Sequence, residues 1–284
     1  MKIGISDGRT WKDQHYLKLK SFGFDFYDFK MSDTTALPYT NDDNEFEKYL
    51  KNEKKLADEA GVTIWQVHGP WRFPPRDVTE SERSERLEKM KRSIYGTAIL
   101  GAKYWVVHPL MPCGTQDILT DNVSKTREIN LDFMSKLLTY AKQFGITICL
   151  ENLPFLDFSL SSPTTIVDIV KEIDDPSFAM CLDTGHANLC RNWSTPAAAI
   201  REYGRYIKVL HVHDNRGALD DHLAPFWGSI DWKDFSRALY DSRFEGVLSL
   251  ECAPSPKLPK DIYEDMYTMY SRIAKSIFDL HTKP

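Results

Sequence analysis

The stretch VLHVHDNRGALDDHLAPFWGSIDW, residues 209–232, starts as a β-branched apolar run and ends at an aspartate heading an amphipathic segment. Its 24 residues hold His211, His213, His222, Asp214, Asp220, Asp221 and Asp231. A short apolar run bounded by turn residues reads as a buried strand. The unit is therefore strand, polar loop, helix. Imidazoles and carboxylates at the end of a buried strand are costly unless something pairs with them. A divalent cation is a partner that satisfies both.

The same unit recurs on either side. Strand-like runs are read at residues 2–6, 24–29, 63–69, 104–109, 147–152, 178–185, 206–214 and 246–252. Amphipathic helical stretches are expected near 11–21, 44–60, 80–100, 121–144, 163–172, 195–203, 231–241 and 261–280. Gly61, Gly101, Gly145 and Gly246 stand where helices should stop before the next strand. Near-continuous apolar strands alternating with helices call for a parallel sheet. Eight such units in 284 residues predict an α/β fold, a single (β/α)8 TIM barrel over residues 1–284. An open doubly wound sheet is the competing architecture. No GxGxxG or GxxxxGK[ST] follows a strand to support it.

Composition narrows the function. The net charge is −5 and the isoelectric point about 5.9, a poor footing for general phosphate-backbone binding. Five scattered cysteines, odd in number and never spaced CxxC, read as free thiols of a reducing compartment. No signal peptide and no apolar run long enough to span a membrane is read, so a soluble cytoplasmic protein without membrane partners is expected.

Barrel chemistry gathers at the C-terminal ends of the strands. There the sequence places His68, His108, Glu151, Asp183 with His186 just beyond it, His211 with Asp220 and His222 in its loop, and Glu251. Singly, each has a plainer reading as a structural residue; Asp231 reads best as a helix cap. Jointly, they point to a metal site. Four carboxylates buried together would be driven toward neutrality without cations. Nine candidate ligands exceed what one ion accepts. Either two or three ions bind, or one ion uses a subset and the rest contact substrate. Mixed imidazole and carboxylate donors suit zinc or manganese. His213, two residues from His211, is placed on the same strand face, with a ligand or substrate role open.

These residues, in VHGPW, VVHP, CLENLP, CLDTGH, LHVHDN, DDHLAPFWGSIDW and LSLEC, resemble the xylose-isomerase-like TIM-barrel superfamily over essentially the whole chain. That superfamily includes sugar and sugar-phosphate isomerases and epimerases, sugar-derivative dehydratases and the endonuclease IV class of abasic-site nucleases. Two site assignments follow from the resemblance. In keto-sugar epimerases, residues matching Glu151, Asp183, His211 and Glu251 hold one manganese-type ion. The two glutamates there exchange the substrate proton, and the residue matching His186 contacts substrate oxygens. In the endonuclease IV class, three zinc ions are held by residues matching His68, His108, Glu151, Asp183, His186, His211, Asp220, His222 and Glu251. The chain retains all nine. It departs from the nuclease in the surfaces that grip DNA: the loop MSDTTALPYTNDD is acidic and lacks arginine.

The expectation is therefore a metal-dependent isomerase or epimerase of a small sugar or sugar phosphate, working through an enediolate. Glu151 and Glu251 are its acid/base pair, with His186, His213, Trp71 and Arg216 as substrate contacts. Phe73, Phe155, Trp193 and Trp227 are further apolar walls, and Arg72 or Arg76 a phosphate clamp. Nucleic acid is not an expected partner. A homo-oligomer is compatible with the reading, as such barrels often dimerise. The alternatives are a multinuclear zinc phosphodiesterase and a dehydratase on the same site.

Overall fold

The computed structural model describes residues 2–282 except 34, 36, 41, 72, 73, 76, 116 and 191–193. Eight parallel strands run β1 (Ile3–Ile5), β2 (Phe26–Lys30), β3 (Thr63–His68), β4 (Tyr104–Val107), β5 (Thr147–Glu151), β6 (Phe178–Asp183), β7 (Ile207–His211) and β8 (Leu248–Leu250). Their order is β7-β6-β5-β4-β3-β2-β1-β8. The remaining seam is stitched one residue past β7: Val212 N donates to Ser249 O, and Glu251 N donates to Val212 O. This is the expected (β/α)8 barrel.

The helices between strands are α1 (His15–Phe22), α2 (Leu37–Thr40), α3 (Asp43–Ala60), α4 (Glu80–Ile99), α5 (Val123–Ala141), α6 (Pro163–Ile173), α7 (Thr184–Leu189), α8 (Pro196–Tyr203), α9 (Trp232–Asp241) and α10 (Lys260–Asp279). Short polar side chains start most of them. Asp42, Thr79, Asn122, Ser162, Asp183, Thr195 and Asp231 each accept a backbone N–H of the first turn. The expected cap at Asp231 is thus present. Gly61 and Gly145 end their segments in the left-handed region, and Gly101 adopts it just past α4. Gly246 does not. The turn after α9 is made by Arg243 at φ 53°, and Gly246 lies in the connection to β8. The short α2 and α7 were not foreseen, because each holds less than two helical turns of pattern.

Strand β5 is buried along its whole length, as a strand covered on both faces should be. Outward side chains pack under the helices in one large core, while Val106, Cys149, Ala179, Cys181 and Val209 fill the barrel interior. All five cysteines are free. The β2–β3 register slips between Tyr27 and Asp28: Tyr27 pairs Ile64 and Asp28 pairs Gln66, so Trp65 is one extra residue in β3. The slip sets Gln66 opposite Asp28. No helix among the described residues is long and apolar enough to cross a membrane.

Candidate metal centre

The C-terminal strand ends surround a cavity of about 420 Å³. Its lining includes His68, Trp71, His108, Glu151, Phe155, His186, Asp220, His222 and Glu251. Lys30, His68, Glu151, Asp183 and His211 are the last residues of β2, β3, β5, β6 and β7. His108 and Glu251 follow directly on β4 and β8.

Three groups of donors form among the described residues, one of them, His68 with Glu151 and His211, sharing two residues with the floor. At the floor, one atom each from Glu151, Asp183, His211 and Glu251 lies within 4.8 Å of the others. His211 Nδ1 is the hub, 2.8 Å from Glu151 Oε1 and 3.2 Å from Glu251 Oε2. The second oxygen of Glu151 lies 3.0 Å from His108 Nε2 and 3.5 Å from His68 Nε2. At the rim, His186, His213, Asp220 and His222 form a second group within the same limit. Asp220 Oδ2 is 3.3 Å from both His186 Nε2 and His222 Nε2.

Backbone carbonyls orient three of the four lining histidines, whereas His108 Nδ1 has no hydrogen-bond partner among the described residues. His68 Nδ1 lies 2.9 Å from Gly69 O, His186 Nδ1 2.7 Å from Asn152 O, and His222 Nδ1 2.7 Å from Glu251 O. A carbonyl oxygen only accepts, so each Nδ1 carries the proton and donates. Each Nε2 is then turned to the carboxylates. Asn152 bridges two strand ends. It receives Asp183 N on its Oδ1 and donates to Asp183 O.

Electrostatics follow the same plan. Burial disfavours charge on Glu151, but His211 and His108 outweigh it and hold its carboxyl well below the usual range. Burial likewise opposes charge on His186, and Asp183 and Asp220 overcome it, pushing the imidazole up to about 10. His222 rises to about 9 against burial through its bond to Asp220 and the nearby charge of Glu251. Carboxylates and imidazoles thus pair with each other across both groups. Such donors are the ones a divalent cation takes, and donor atoms about 2.0–2.2 Å from one ion lie within the observed mutual separations. The residues fit the metal that the sequence implied.

Several expectations need adjusting. His211 and His213 do not act side by side. β7 ends at His211, and His213 is fully buried outside the cavity lining, its Nε2 3.0 Å from Asp183 Oδ2 and its ring stacked on His222 at 3.9 Å. Fully buried, His213 packs among the rim donors and not on the cavity wall. It also explains the glycine of DTGH: a Cβ at Gly185 would stand 2.0 Å from His213 Cε1. Arg216 is exposed and off the cavity wall. Trp227 is half-exposed against Tyr270 rather than over the cavity. Trp71 does line it, its ring 4.4 Å from that of His108. Arg72, Phe73, Arg76 and Trp193 lie outside the described residues.

Three residues of β2 and its loop escaped the sequence reading. Lys30 and Ser32 line the cavity, with Lys30 Nζ 3.8 Å from Glu251 Oε1. Asp28, fully buried, places Oδ2 2.9 Å from His211 Nε2. The available signal was a carboxylate inside the apolar run FDFYDF, which needs a partner if buried.

Comparison with known proteins agrees with this fold. The family model described as xylose isomerase-like TIM barrel matches residues 17–271. An uncharacterised protein of Methanocaldococcus jannaschii is 30% identical over 207 residues, covering 72% of this chain and 69% of that protein. The D-psicose 3-epimerase of Ruminiclostridium cellulolyticum is 25% identical over 247 residues, covering 82% and 75%. The crystal structure of a D-tagatose 3-epimerase-like protein superimposes with a TM-score of 0.75 at 26% identity, covering 97% of this chain and 99% of that one. The chain belongs to the xylose isomerase-like TIM barrel family.

Proposed function

We propose that the protein is a metal-dependent isomerase or epimerase of a small sugar or sugar derivative. The observation that carries this is the pair Glu151 and Glu251, both on the cavity wall and both against His211 Nδ1. Two carboxylates facing one small cavity can take a proton from one face of a substrate carbon and return one to the other. Glu151, Asp183, His211 and Glu251 would hold a divalent ion. When bound, that ion supplies a Lewis acid that polarises a carbonyl and makes the neighbouring C–H more acidic.

The remaining residues bind and orient. His186 and Asp220 reach the cavity with polar atoms suited to sugar hydroxyls. Trp71, Leu153, Pro154 and Phe155 give it an apolar side that excludes water from the reacting carbon. The named relatives, D-psicose 3-epimerase and the D-tagatose 3-epimerase-like protein, point to ketoses as first substrates to try.

A second reading has one observation in its favour: the rim donors beside the floor donors could hold further ions, as a multinuclear phosphodiesterase requires. Metal analysis and a ketose panel decide between them. About one manganese, cobalt or zinc per chain, with epimer formation from a ketose that chelation abolishes, supports the isomerase. Two or three zinc ions with cleavage of an abasic-site duplex and no epimer from any ketose overturns it.

A further inference from the structure

We infer that Asp28 is a positioning residue: from behind His211 it fixes which ring nitrogen faces the floor and strengthens that nitrogen as a metal donor. This rests on the floor metal site proposed above.

The histidines around the cavity differ in which ring nitrogen they present. His68, His186 and His222 each hand Nδ1–H to a backbone carbonyl and present Nε2. His211 is turned the other way. Its Nε2 lies 2.9 Å from Asp28 Oδ2, and its Nδ1 faces Glu151 and Glu251. A carboxylate in place of a carbonyl does two things. An ionised carboxylate only accepts, so it holds the proton on Nε2 and leaves the Nδ1 lone pair for a cation. Its negative charge also raises the basicity of the ring, as outer carboxylates do for metal-bound imidazoles.

Asp28 is built to hold that position. It and Gln66 are both fully buried. Gln66 Nε2 donates to Asp28 Oδ2 at 2.8 Å and lies 3.4 Å from Leu210 O, tying the carboxylate to the strand that carries His211. The extra residue Trp65 in β3 is what brings Gln66 level with Asp28. Asp28 Oδ1 makes no hydrogen bond among the described residues. A buried carboxylate with one unsatisfied oxygen is expensive as a purely structural device, since an apolar residue would fill the same space at lower cost. Its orientation toward a single donor nitrogen gives it a use. Asp28 belongs to none of the donor groups, so it acts through His211 and not on the ion itself.

The test is Co(II) binding to the full-length chain stripped of metal, read by calorimetry and by the visible absorption of the bound ion. Asp28→Asn and Asp28→Leu should keep the metal-free fold by circular dichroism and bind Co(II) about 10–100-fold more weakly, with a shifted absorption band. Gln66→Leu, which leaves the carboxylate but removes its anchor, should weaken binding by about tenfold, the low end of the same range. In a His211→Ala background, Asp28→Asn should change the residual affinity less than about twofold, as a residue acting only through His211 must. Native Co(II) affinity in a folded Asp28→Leu or Asp28→Asn protein overturns the assignment. So does an equal loss with and without His211. Should both Asp28 variants unfold, a native affinity in Gln66→Leu overturns it instead. If the unaltered chain binds no Co(II), the functional reading fails along with this one. If it binds and the variants match it, this one fails alone.

Discussion

The floor and rim donor groups use the same residue types a few ångströms apart, yet their environments differ. The floor has three carboxylates and one histidine, and its His211 and Asp183 are fully buried. The rim has one carboxylate and three histidines, with the side chains of Asp220 and His222 28% and 38% exposed. An excess of buried negative charge cannot persist without cations or protons. The floor therefore has the stronger need for an ion. The rim can neutralise itself by protonating His186 and His222, whose pKa values stand at about 10 and about 9. A site that is cation-demanding below and self-neutralised above suits one resident ion and a substrate held over it.

The largest test of that contrast is to strip the proton-transfer groups from the floor. Glu251→Gln or Glu151→Gln should lower turnover by about 10²–10⁴-fold, the range for losing a general acid or base. Full turnover in either variant removes that glutamate from the mechanism. His222→Ala attacks the rim instead. It should weaken Co(II) binding at the floor by only a few-fold and reduce turnover no more than roughly tenfold, because His222 touches the floor only through the Glu251 carbonyl and charge and is not itself a floor donor. A loss matching that of Glu251→Gln would mean that the rim takes part in the chemistry, as the phosphodiesterase reading requires.

Acidity sharpens the contrast further. Rim histidines with raised pKa values stabilise the metal-free fold through their protonated forms. That contribution is complete below about 6.5, their ordinary value, and is lost as pH rises through about 9 and 10. Thermal melts of the metal-free protein should therefore fall between pH 7 and 10, and those of His222→Ala should fall less over the same span. A native slope in the variant would locate the pH dependence elsewhere. The smallest effect is a control away from both groups. Asp231→Ala removes the α9 cap and should cost about 1 kcal/mol by chemical denaturation, with metal affinity unchanged.

Much of this was legible in the chain. The strand–loop–helix unit of residues 209–232 repeats with enough regularity to define the barrel, and the strand ends with their loops name seven of the eight floor and rim donors, His213 being read apart from them. Boundaries were less secure. Continuing β7 to Asp214 put His213 beside His211, whereas pairing with β6 ends at His211, Val212 pairs across to β8, and His213 turns to Asp183 and the rim. Asp28 was hidden for a different reason. Its partner His211 is 183 residues away, and the register slip that aligns Gln66 with it arises only once β2 and β3 pair. Lys30 and Ser32 were missed because the second strand was ended too early, at Phe29. The apolar walls were read from nearby aromatics, and loop conformation kept Phe155 on the cavity while sending Trp227 to Tyr270.

The central claim is that Glu151 and Glu251 move a proton on a metal-held sugar. The most direct test is to incubate the metal-loaded protein with ketoses in deuterated water and measure the isotope in the recovered sugar. The account predicts deuterium on the carbon beside the carbonyl, dependent on the divalent ion and abolished in Glu251→Gln. No exchange into any ketose, together with cleavage of an abasic-site duplex by the same preparation, would contradict it.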